Sequence, residues 1–127
     1  MTPATSARPV QLKIAVDDLD EAIAFYQHAF RFHYDISRRT DEEDYSSFLF
    51  GKYGQSDFFL IHLLDASAVD RPGPSTFGLL VEDLDATHRQ ALAAGAKAVI
   101  EPHGAQGMPS NSAVKDPSGN WIWLYQG

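Results

Sequence analysis

Two stretches of the sequence carry side chains able to do chemistry. In FFLIHLL, residues 58–64, His62 stands alone among apolar neighbours. In DPSGNWIWLYQG, residues 116–127, Trp121, Trp123 and Tyr125 fall at every second position, with Ile122 and Leu124 between them. An imidazole can serve as a general base or hold a metal ion through a ring nitrogen. Indole and phenol rings stack on flat ligands, and a cation over such a ring gains about 0.5–2 kcal/mol. Alternate residues of a strand point to opposite faces. The three rings therefore share one face and the two aliphatics the other. Two plainer roles compete: a histidine among apolar residues commonly hydrogen-bonds a backbone carbonyl, and strand aromatics commonly fill a core or an interface. His28, His33, His88 and His103 show no ligand spacing with one another. With no cysteine in the chain, thiolate nucleophiles, disulfides and finger-type zinc sites are excluded.

These residues belong to a chain of 127 residues, 14.0 kDa, enough for one domain with its own core. Hydrophobic residues at 44% against 21% charged mark it as globular. The formal net charge of −7 argues against a nucleic-acid partner, which needs a basic surface. The same balance points towards a cationic or neutral ligand, or simply towards solubility. No apolar run is long enough to cross a bilayer, and the opening MTPATSARP lacks the apolar core of a signal peptide. Together with the lack of cysteine, this gives a cytoplasmic expectation.

The elements that position the candidate residues come from a repeat. AVDDLDEAIAFYQHAF, residues 15–30, is echoed by LVEDLDATHRQALAAG, residues 80–95, with Val16, Asp18, Leu19 and Asp20 matching Val81, Asp83, Leu84 and Asp85 at a constant offset. Each copy opens with an alternating strand: Leu12, Ile14 and Val16 in the first, Phe77, Leu79 and Val81 in the second. Asp18 and Asp83 are N-caps, with Glu21 completing a capping-box arrangement. Leu19, Ile23, Tyr26 and Phe30, like Leu84, His88, Ala91 and Leu92, follow at helical spacing. Gly95 suits the left-handed end of the second helix, and Arg31 takes that place in the first. Further strands are expected over Phe32–Arg38, Tyr45–Tyr53 and Asp57–Leu64, then over Lys97–Pro102, Ser110–Lys115 and Asn120–Tyr125. DASAVDRPGPS, residues 65–75, is too rich in Pro and Gly for either element and links the copies. Asp116 in DPSG shapes a turn. Glu101 and the acidic run around Glu42 are expected in solvent.

VDDLDEAIAFY, VEDLDATHRQALAAGA, EPHGAQGM and DPSGNWIWLY, spread over almost the whole chain, resemble the vicinal oxygen chelate superfamily of glyoxalases, bleomycin-resistance proteins and extradiol dioxygenases. The resemblance implies an α+β fold in which two βαβββ modules, residues 9–64 and 76–126 of a single domain, form a curled mixed sheet. Helices would cover its convex face and leave a concave ligand cup. It also implies a homodimer. Metal-dependent members place ligands at positions matching Gln11, His62, Thr76 and Trp123. Gln11 and His62 are competent donors. An indole N–H has no lone pair to offer a cation, and a threonine hydroxyl is a weak one. The resemblance therefore implies no metal and no other cofactor. By strand parity, Gln11 and Thr76 face the cup, as do Phe58 and Leu60 with His62, and Trp121 and Tyr125 with Trp123. The expected function is metal-independent binding of a small aromatic or planar ligand. The alternative is a lyase, isomerase or dioxygenase-like enzyme using His62 as base or metal ligand.

Overall fold

The fold is known from a computed structural model, which describes residues 8–33, 45–52, 55, 57–65 and 74–127. Its elements are β1 (Gln11–Val16), α1 (Leu19–Phe30), β2 (Tyr45–Phe50), β3 (Phe59–Asp65), β4 (Thr76–Val81), α2 (Leu84–Ala93), β5 (Lys97–Ala105), β6 (Met108–Lys115) and β7 (Trp121–Gln126). Most of the strand expected over Phe32–Arg38, and residues 66–73 of the link, lie outside the described residues.

Both helices begin where the aspartates predict. Asp18 Oδ1 accepts from the Glu21 amide at 3.0 Å, and Asp83 Oδ1 from the Ala86 amide at 3.1 Å. Arg31 ends α1 in the left-handed region, with φ 56° and ψ 36°. A side chain there costs roughly 1–2 kcal/mol. The cap of α2 is instead Ala94, in the right-handed region, and Gly95 follows it at φ 116°, which a glycine adopts without that cost.

The strands form two mixed sheets, ordered β1-β3-β2 and β4-β7-β6-β5. In each, the opening strand of the module pairs in parallel with its last strand. The core-facing positions are the expected ones: Ile14, Val16, Ile61, Leu63, Ile122 and Leu124 are buried together with Leu19, Phe25 and Tyr26 of α1 and Leu84 and Ala91 of α2. One strand runs further than expected. β5 continues past Pro102 to Ala105, because it is an edge strand with register shifts, where a missing N–H is tolerated. EPHGAQGM is thus the β5–β6 hairpin rather than a loop.

A polar clasp joins the modules. Asp116, 2% exposed, follows β6 and collects donors with both oxygens. Oδ1 accepts from the Ser118 and Asn120 amides at 2.9 and 2.8 Å. Oδ2 accepts from Asn120 Nδ2 at 2.8 Å and, across the module boundary, from the Tyr26 hydroxyl at 2.7 Å. The buried Asn120 also donates to the Ala15 carbonyl of β1 at 2.9 Å and accepts the Ser75 amide at 2.7 Å. Burial, followed by the Asp116 charge and hydrogen bond, holds the Tyr26 phenol well above its ordinary pKa. Its ring stacks on Phe32 at 5.8 Å and meets Phe77 of β4 at 6.5 Å.

Candidate functional site

Each sheet has a second face, turned away from the helices, and the candidate residues lie there. On the first sheet, Gln11 is exposed and His62 half-buried. Register places Lys13, His62 and Ser47 in one row across the three strands, with Gln11, Leu60 and Leu49 in the next. Gln11 Nε2 lies 3.2 Å from His62 Nδ1. In this orientation the amide donates and the ring nitrogen accepts, which fixes the imidazole plane. Phe58 is half-buried just before β3, its carbonyl accepting from Arg8 at 3.3 Å.

On the second sheet the row Thr76, Trp121, Lys115 lies beside the row Gly78, Trp123, Ala113 and the row Leu80, Tyr125, Asn111. Trp121 and Trp123 are half-buried, with ring centroids 5.9 Å apart and planes tilted by 36°. Tyr125 lies over Gly78. A Cβ at that glycine would come within 3.1 Å of the Tyr125 ring, so the missing side chain lets the phenol lie flat. Trp121 and Trp123 thus form an aromatic platform on this sheet, with Tyr125 on the same face over Gly78.

The sequence-derived set is therefore assembled as two groups on different sheets: Gln11, His62, Phe58 and Leu60 on the first, Thr76, Trp121, Trp123 and Tyr125 on the second. The sheets approach each other at β1 and β4, where the Ser75 hydroxyl donates to the Lys13 carbonyl at 3.1 Å. Two features of the platform were not anticipated. Lys115 Nζ stands 5.5 Å from the Trp121 ring centroid, and Lys97 sits directly across from Lys115 on β5. Both follow from hairpin register, which only the turn lengths could have supplied.

His88 is not part of this site. It is buried on α2, with Nδ1 2.8 Å from the Ser112 hydroxyl and Nε2 3.6 Å from Glu101 Oε2. The Glu101 side chain is 77% exposed. Two clefts, of about 440 and 450 Å³, lie between the modules and share Phe50 and Leu79; the first is also lined by Arg31, Glu82 and Asp83, and the second is apolar. Neither is lined by Trp121 or Trp123, but the second reaches Gln11 and Gly78 of the candidate faces and the first reaches Leu80.

The donor set does not fit a resident metal ion. Among the described residues no three His, Cys, Asp or Glu side chains gather as a possible metal site. At the positions matching the family's ligands, the second sheet offers only a hydroxyl and an indole, neither a competent partner for a divalent ion.

Fold and site together define an α+β protein of paired modules. The profile of the Glyoxalase/Bleomycin resistance protein/Dioxygenase superfamily matches residues 8–124, and the chain belongs to that superfamily. Its fold is similar to that of TnmS3, an antibiotic binding protein from Streptomyces sp. CB03234, at 21% identity and TM-score 0.73, covering 98% of each chain. It is also similar to a glyoxalase-related enzyme from Fulvimarina pelagi, at 14% identity and TM-score 0.71, covering 94% of this chain and 88% of that one. Glyoxalase I from Zea mays aligns at 23% identity and TM-score 0.73 with 94% of this chain, which spans 44% of that longer one. No curated protein sequence matches. No described helix is long and apolar enough to cross a membrane.

Proposed function

We propose that the protein binds a small planar or aromatic molecule on the Trp121–Trp123 platform, without a metal ion. The observation that carries this reading is the Trp123 indole, which stands at the centre of the open face where metal-dependent relatives would supply a donor. Half-buried aromatic faces on a rigid sheet stack flat ligands at little entropic cost. A structural relative that is an antibiotic binding protein fits the same reading. The purified protein should carry no stoichiometric nickel, zinc, iron or manganese by elemental analysis. One tightly held transition metal per chain would overturn the proposal. It would favour the second reading, an enzyme in which His62, oriented by Gln11, acts as base or metal ligand.

The binding face also supports a homodimer. Leu80, on the same face as Tyr125, is 76% exposed, and β2 and β5 are the outer sheet edges. Pairing would cover them with an interface above about 1,000 Å². Light scattering at micromolar concentration should give twice the chain mass, and a monomer would contradict this.

A further inference from the structure

The charges of the binding face run against those of the chain. The protein carries a net charge of −7, yet strand register places Lys13, Lys97 and Lys115 on the faces turned from the helices. No Asp or Glu among the described strand residues shares those faces: Glu101 turns to His88 on the helix side, and Asp65 pairs with the core position Val16. The cations are also set against one another. Lys97 and Lys115 are directly opposed across antiparallel strands, an arrangement that costs free energy unless a counter-charge relieves it. The Lys115 ammonium already stands over Trp121, so a ligand cation approaching that ring would meet like charge.

We infer that the ligand is a planar anion, an aromatic carboxylate or phenolate, whose ring stacks on the Trp121–Trp123 pair while its acidic group is held by Lys115 and Lys97. This rests on the binding function proposed above and names the chemistry of its ligand. It reverses what net charge alone implies, because charges at contact distance outweigh a diffuse field screened within roughly 8 Å at physiological ionic strength. A carboxylate between two ammonium groups gains charge-assisted hydrogen bonds that an alcohol or amine of the same shape cannot make.

The test uses three probes of matched shape, naphthalene-2-carboxylate, 2-naphthalenemethanol and 2-naphthylmethylammonium, titrated calorimetrically into the intact protein. The carboxylate should bind about tenfold more tightly than the alcohol, with the ammonium weakest and added salt narrowing the gap. Lys115→Gln should remove the preference of carboxylate over alcohol, and the exposed Lys97→Gln should reduce it in part. Alcohol or ammonium binding as tight as the carboxylate overturns the anionic assignment but leaves the platform intact. So does a preference that survives both substitutions. Binding of none of the three overturns the platform and the assignment together.

Discussion

Asp116→Ala should lower the unfolding free energy by about 3–5 kcal/mol. The carboxylate is buried, and its removal strands the Tyr26 hydroxyl, one N–H of the Asn120 side-chain amide and two backbone amides. Each buried donor left alone costs about 1–3 kcal/mol before relaxation and water recover part of it. Tyr26→Phe is the matched control. It removes one donor while Asn120 still occupies the same carboxylate oxygen, so about 1 kcal/mol is expected. Urea melts of both variants decide the matter. A loss below about 1 kcal/mol for Asp116→Ala would show that the clasp is ornamental and the modules are held by apolar packing alone.

Trp123→Ala should weaken binding of naphthalene-2-carboxylate by about 1–3 kcal/mol and leave the melt nearly unchanged. Its neighbour supplies the contrast. Leu124 is fully buried on the other face of the same strand, so Leu124→Ala should cost about 2–5 kcal/mol of stability through the cavity it leaves. One strand thereby separates recognition from folding by a step of a single residue. Affinity unchanged by Trp123→Ala, together with a stability loss as large as that of Leu124→Ala, would place the indole in the core and sink the stacking assignment.

What could be read from sequence follows from what is local. The Asp18 and Asp83 caps fixed both helix starts, and the alternation in Leu12–Val16, Phe77–Val81 and Trp121–Tyr125 sorted each side chain to its face. Interactions between distant residues were not legible. Asp116 reads as a turn former, which it is, but nothing near it announces Tyr26, 90 positions away. Lys115 lies only six residues before Trp121 in sequence, yet its place over that ring depends on how the Asp116–Asn120 turn sets the register. The separation of Gln11 and His62 from the tryptophans, on a different sheet, depends on pairing between modules.

The clasp also breaks a symmetry. The offset that aligns Val16 with Val81 aligns Tyr26 with Ala91 and Gly51 with Asp116. Ala91 is fully buried on α2 and Gly51 follows β2 just as Asp116 follows β6. The second helix thus has a methyl group where the first has a hydroxyl, and the first module has no carboxylate to return. A twofold arrangement of two copies of the first half would set each Tyr26 hydroxyl against a glycine, and two copies of the second would set each Asp116 against a methyl group. The halves share one sequence pattern, but they are complementary parts, each needing the other's chemistry.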